Sequence, residues 1–430
     1  MILKIAEEST APVLICPEPE ADMDRIAVKE AFSKAVKEGE KEDFSLNLEE
    51  WIERKGIDSL RDITEGILLA DYQPARYPAR PVSERTAALC GIREKQKAET
   101  IIRETENIVK GIVFARDMTN LPANMLRPLD FAGKVKKLME GTGVDVEILP
   151  RERLQELGMN ALLTVGESSS FPPCLAILRY HGDPDSEKVT ALVGKGVTVD
   201  TGGYCLKRGG DSMMGIRGDM AGGAAVAGAV FALAVNQVKV NVTGLIPMCE
   251  NRLSSGSMVP GDVITAYGGK TIQIVNTDAE GRLILADAVS YAVLAEKADR
   301  VMDIATLTGA AVAITGFGAA PCMADDESFF QEFVSAAEIS GERYLRLPIY
   351  SEYEKQIVSD VADLKNSGGR FAATITAGLF IRSFAGKAPW MHLDIAGTAW
   401  VDAPVYEFQS KGATGAGVTT MYYLCSGKGE

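Results

Sequence analysis

The chain has 430 residues, 46% of them hydrophobic and 24% charged, a balance that excludes wholesale disorder and supplies apolar material for more than one core. Its 59 acidic residues against 45 basic ones leave a formal net charge of -14, which opposes attachment to nucleic-acid backbones or anionic lipid. Seven scattered cysteines without a Cys-x-x-Cys pair fit a reducing cytoplasm. No apolar run approaches the ~18 residues of a membrane span, and Met1 to Glu8 is too short and acidic for a secretory signal.

In chain order, Ile2 to Ile5, Val13 to Cys16 and Ala87 to Cys90 read as short strands, interleaved with charged amphipathic stretches at Asp22 to Lys41 and Leu48 to Arg54 that suit solvated helix faces. Glu99 to Asp117 repeats Ile101, Ile102, Ile108, Val109, Ile112 and Val113 near helical spacing and stops before Asn120-Leu121-Pro122. A helix of that length suits a bridge between domains. A first α/β domain is expected over 1–150 and a second over 151–430.

The second part alternates apolar runs with helical segments. Ala161 to Val165, Cys174 to Tyr180, Val189 to Val193, Val238 to Pro247, Ile272 to Val275 and Val301 to Ile304 read as strands. Ala221 to Ala234, Leu283 to Ala295, Phe329 to Ile339 and Ala373 to Phe384 read as helices. That alternation predicts a central sheet covered by helices on both faces, with functional groups at strand carboxyl ends.

Three glycine-flanked blocks carry unusual charge: Gly194 to Gly203 followed by Lys207, then Arg217-Gly218-Asp219, then Asn276 to Arg282. In Asp278-Ala279-Glu280-Gly281-Arg282 the charged residues are two apart, so in extended chain they project to one side. Asp200 and Asp219 sit among small and apolar residues. Four carboxylates in such settings repel one another unless cations neutralise them, and two divalent ions would do so. Only His181 and His392 are available, which excludes a three-His or His-Glu-x-x-His site. His392 reads as a satisfied strand residue and His181 as a loop residue. Oxygen donors suit Mg, Mn or Zn. Lys195, beside such ions, can be neutral and ligate, while Lys207 can stay protonated and polarise a carbonyl. Gly268-Gly269-Lys270-Thr271 ends like a phosphate loop but lacks the first glycine and leads into a strand.

Asn276-Thr277-Asp278-Ala279-Glu280-Gly281-Arg282-Leu283 resembles the signature octapeptide of the leucyl or cytosol aminopeptidase family, M17. Val193 to Gly203, Ala305 to Ala310 and His392 to Gly397 resemble its other blocks, over roughly residues 110–425. The resemblance implies a metal-dependent aminopeptidase of broad, leucine-type preference acting on peptides through a two-metal-activated water. Lys195, Asp200, Asp219, Asp278 and Glu280 would be ligands of two ions, and Lys207 and Arg282 the catalytic residues. It further implies a bicarbonate at Arg282, substrate contacts at Thr306, Leu307, Gly309 and Ile216, and a homohexamer. Thr201 stands where the family commonly has Ser, Ile216 where Met is frequent, and the loop Arg208 to Gly218 is slightly longer. A two-metal phosphohydrolase and a peptide- or DNA-binding oligomer with a relic site are the alternatives.

Overall fold

The computed structural model describes residues 1–7, 9–39, 42–75, 77, 85–208 and 215–428. Near the start, β1 (Ile2–Ile5) and β2 (Phe44–Asn47) flank β3 (Thr86–Cys90) in a parallel sheet. Three strands this short bury little by themselves. The helices Arg25–Glu38, Glu49–Lys55 and Leu60–Ala70 therefore close over Phe32, Leu46, Trp51, Ile63 and Leu89. The strand expected at Val13 to Cys16 is reduced to one bridge, Val13 to Ser45. Pro12 and Pro17 bracket it without N–H donors, and Ile15 is 88% exposed. The charged helix Arg25–Glu38 is not wholly a solvated face. Lys29 is buried, 2.9 Å from Glu65, and donates to the Ser340 carbonyl at 2.7 Å.

The helix Lys95–Asn120 spans two cores. Ala98, Ile101 and Ile102 pack with the N-terminal cluster, and Ile108, Val109, Ile112 and Ala115 pack beneath a larger sheet. That sheet comprises β4 (Asp145–Leu149), β5 (Cys174–His181), β6 (Thr190–Gly194), β7 (Gly196–Asp200) and β8 (Asn241–Asn251). After β9 (Val263–Thr265) and β10 (Thr271–Gln273), which lie elsewhere, it continues with β11 (Arg300–Ala305), β12 (Ala320–Ala324) and β13 (Tyr344–Arg346). Past β14 (Leu364–Lys365) it ends with β15 (Trp390–Asp394). The order is β13-β12-β15-β11-β6-β8-β5-β4, with β7 also beside β8. β15, β11, β6 and β8 run parallel, whereas β12, β5 and β4 join antiparallel, so the sheet is mixed.

Alternation along β5 shows both faces covered. Cys174, Ala176 and Leu178 enter one apolar cluster, and Leu175 and Ile177 enter the other. The helix Ala221–Val235 lies on the first side, and Gly281–Leu294 and Ala373–Arg382 on the second. With the turn before it, Ala221–Val235 is long and apolar enough to cross a membrane by composition, yet 83% of that stretch is buried in this core.

Two expected strands differ. Ala161 to Val165 lies in a helix, Asn160–Gly166, packed against Gly281–Leu294, because a short apolar run fits a buried helix as well as a strand. Asp287 reaches across from that neighbour and accepts from the Leu162 and Tyr267 N–H groups at 2.9 and 2.8 Å. β10 belongs to a separate sheet, β14-β10-β9, and not to the large one. Gly268 and Gly269, both at positive φ, turn the chain between β9 and β10.

Candidate metal centre

A single residue, Lys195, separates β6 from β7 and is 2% exposed. Its position depends on bare backbone. A Cβ on Gly194 would stand 2.5 Å from the Gly222 carbonyl oxygen, and one on Gly222 would stand 2.1 Å from that of Ile304. Both are far inside contact distance, so glycine alone lets the helix Ala221–Val235 press onto the ends of β6 and β11. The Gly223 N–H then donates to the Lys195 carbonyl at 2.8 Å. This seats Asp219, just ahead of the helix, against the Lys195 side chain.

The third block is not extended, contrary to the spacing argument. The Glu280 carbonyl accepts from the Leu283 and Ile284 N–H groups, so a helix starts at Gly281 with Glu280 at its cap and Arg282 in its first turn. Helix hydrogen bonding overrides the two-residue alternation. Asp278 and Glu280 face the cleft, while Arg282 donates through Nη1 to the Asn366 carbonyl at 2.9 Å. A Cβ on Gly281 would lie 2.6 Å from Lys195 Nζ, so only glycine here leaves room for the lysine beside Glu280.

The five expected ligands and the two expected catalytic residues line one cleft of about 1470 Å³, its open mouth included. Lys195 Nζ lies 2.7 Å from Asp219 Oδ2 and 2.8 Å from Glu280 Oε1, and donates to the Thr306 carbonyl at 3.0 Å. Lys207 Nζ lies 2.7 Å from Asp200 Oδ2 and also pairs with Asp278 Oδ1. Asp200 Oδ1 accepts from the Gly202 N–H and Asn251 Nδ2 at 2.9 and 2.8 Å, and Asp219 Oδ1 accepts from the Thr306 hydroxyl at 2.8 Å.

Burial pushes the Asp200 carboxyl up to about 6 and Asp219 well above its usual range, and the neighbouring carboxylates add to both shifts. Glu280 stays ionised, held at about 2, because Lys195 and Lys207 outweigh its burial. Burial also works against the two ammonium groups, but the surrounding carboxylates hold both above their ordinary value. Burial lowers Arg282 to about 10. The cluster thus resists carrying all its negative charge, the condition a divalent cation relieves.

Two atoms test the fit. Glu280 Oε2 is buried without a hydrogen-bond partner, and buried Asp219 Oδ2 has only the Lys195 ammonium, at ion-pair distance. Ligand oxygens of Asp200, Asp219 and Glu280 lie within 4.8 Å of one another. A hard, oxygen-seeking cation suits this set.

Thr306, Leu307 and Gly309 line the same cleft. Asp394 fixes their loop, accepting from the Leu307 N–H at 3.1 Å and the Thr308 hydroxyl at 2.6 Å. Ile216 is not brought together with them. It lies in the turn Ile216–Gly218, whose neighbours Gly215 and Gly218 line the cleft while Ile216 does not. Residues 209–214 of the adjoining loop lie outside the described residues. His392 is only half satisfied: Nδ1 meets Asp303 at 2.5 Å, and Nε2 is buried without a partner. His181 ends β5 instead of lying in a loop. Residue-by-residue reading gave no role to Asn251 or Asn366, because a lone asparagine carries no spacing signal. Both contribute side-chain hydrogen bonds here.

The model of the cytosol aminopeptidase family catalytic domain matches residues 113–422. A probable cytosol aminopeptidase of Clostridium tetani is 42% identical over 372 residues, 86% of this chain and 77% of that protein. One of Clostridium perfringens is 39% identical over 417 residues, 95% of this chain and 84% of that protein. Among solved structures, the bottromycin maturation enzyme BotP in complex with Mn superposes with a TM-score of 0.88 at 32% identity, covering 95% of this chain and 89% of that one. With the family model spanning most of the chain and the carboxylate cleft inside the matched region, the chain belongs to the cytosol aminopeptidase family and is a metal-dependent aminopeptidase.

Proposed function

We propose that the cleft removes N-terminal residues from peptides using two divalent ions, with a broad, leucine-type preference. The observation that carries this reading is the convergence of Lys195, Asp200, Asp219, Asp278 and Glu280 from three separate segments around a buried, partnerless Glu280 Oε2. These five would hold the ions, with Asp200 and Glu280 serving both. When bound, the ions supply Lewis-acid polarisation of the scissile carbonyl and a water acidic enough to act near neutral pH. Mn is supported by the similarity to BotP, whose structure is a complex with Mn, and Zn and Mg share the chemistry of the donor set.

The chain's own groups do the rest. Lys195, placed between Asp219 and Glu280, would hold an ion as the neutral amine, since the charge of a bound cation disfavours the ammonium that the carboxylates otherwise support. Lys207, less enclosed than Lys195, keeps its ammonium and donates to the substrate carbonyl oxygen as negative charge develops there. Arg282 has one N–H tied to the Asn366 carbonyl and a buried Nε without a partner, which leaves it suited to a small anion. Bicarbonate in that place would carry the proton to the leaving amine. Thr306, Leu307 and Gly309, which line the cleft, would align the peptide main chain. The same reading includes a homohexamer, a cytoplasmic setting consistent with seven free cysteines, and an N-terminal unit joined to the catalytic one through Lys95–Asn120.

Hydrolysis of leucyl anilide with added Mn or Zn tests this. Chelator-sensitive release of aniline is expected, with near-complete loss in Asp278→Asn and no turnover of a phosphoester. Unchanged activity in Asp278→Asn would refute the assignment.

A further inference from the structure

The segment Val275 to Arg282 holds Asp278, Glu280 and Arg282 and runs from β10, the middle strand of the small sheet, to the helix that starts at Gly281. Two asparagine side chains from outside grip it, Asn251 through one bond, from Nδ2 to the Thr277 carbonyl at 3.0 Å, and Asn366 through four. Asn366, fully buried just past β14, accepts at Oδ1 from the Val275 and Asn276 N–H groups at 2.8 and 3.2 Å. Its Nδ2 donates to the Asn276 and Ala279 carbonyls at 2.7 and 3.3 Å. Its own N–H donates to the Gln273 carbonyl at 3.0 Å, and its carbonyl accepts from Arg282 Nη1 at 2.9 Å.

An asparagine amide offers two donors and an acceptor with two lone pairs, and here all four are used on one stretch of main chain. The bonds bracket Asp278, reaching residues 275 and 276 before it and 279 after it, and so set how far its carboxylate stands from that of Glu280. Through its carbonyl the same residue also sets where Arg282 points.

We infer that Asn366 is a positioning residue for both the ligand pair and Arg282, binding neither ion nor substrate itself. The inference rests on the two-ion reading. No isosteric residue replaces it: aspartate keeps the shape but would turn two donors into an oxygen facing the Asn276 and Ala279 carbonyls. Serine keeps a hydroxyl that cannot span both sides.

The test uses the full chain as wild type, Asn366→Asp and Asn366→Ser. Free Mn²⁺ is counted by electron paramagnetic resonance during titration, kcat and KM are measured with leucyl anilide, and unfolding is followed in the metal-free state. Outer partners of metal ligands typically cost about 10–100-fold in affinity or activity when changed, and a loss of that size is expected in both Mn²⁺ affinity and kcat. KM should change far less, and the metal-free fold should persist. Wild-type affinity and kcat in both variants, or a loss of folding without a change in the Mn²⁺ affinity of the folded protein, would overturn the inference. So would complete unfolding of both variants, since a local clamp does not hold a whole fold. Wild type that neither binds Mn²⁺ nor cleaves the anilide would defeat the two-ion reading and this inference with it.

Discussion

Lys195 and Lys207 each face two carboxylates, yet the side chain of Lys195 is 3% exposed and that of Lys207 is 23% exposed. Lys195 stands between two strands, walled by Gly194, Gly223 and Gly281, and its neighbours Asp219 and Glu280 are themselves enclosed. Lys207 follows β7 on a loop, and its partner Asp278 is 32% exposed. The two roles proposed for these lysines divide along the same line. In the enclosed half, charge balance is part of the fold. In the open half, a group can shift toward an incoming substrate at little structural cost.

Substitutions can break or sharpen that contrast. Lys195→Met removes the cation from an enclosed pair of carboxylates, and breaking such a pair costs about 3–5 kcal/mol. Urea unfolding of the metal-free variant should show that loss together with absent activity. Lys207→Ala should leave metal content intact and destabilise far less, while kcat falls about 10²–10³-fold, the usual effect of removing one donor to a developing oxyanion. Equal destabilisation by the two changes would show that the halves do not differ in this way.

Gly281→Ala is subtler. Alanine favours a helix by up to ~1 kcal/mol, but its methyl would meet Lys195 Nζ at 2.6 Å, and overpacking costs about 1–3 kcal/mol. Stability should move little while metal affinity, read by Mn²⁺ titration, drops.

A further expected effect lies outside the cleft. Burial pushes the Asp287 carboxyl up to about 7 from its ordinary 3.8. Because the folded value is the higher one, its contribution to stability is complete below about pH 4 and is lost as pH rises through about 7. The Tm difference between wild type and Asp287→Asn should therefore shrink from about pH 5 to about pH 8. A difference that grows over that range would contradict the burial argument.

Much of this was legible in residue order. The mixed sheet with helices on both faces follows from apolar runs alternating with helical segments, and the carboxylate blocks announced themselves by charge among glycines. What stayed hidden depends on contacts between distant segments. Ala161 to Val165 became a helix because Asp287, 122 or more positions along the chain, accepts from the Leu162 and Tyr267 N–H groups beside it. Asp278, Glu280 and Arg282 abandoned strand alternation because the helix bonds begin at Glu280. Asn366 could not be noticed because its partners are main-chain atoms some ninety residues away, which leave no pattern in side-chain identity.

The seam where Gly194 meets Gly222 has a consequence for anyone reshaping this protein. Peptide groups touch there with no side chain between them, so the spacing across the cleft is gauged by main chain alone. Any larger residue would act as a wedge, tilting the helix and carrying Asp219 away from Lys195. Efforts to retune which peptide is accepted should work instead from side chains that line the cleft away from this seam, such as Leu307 or Trp400.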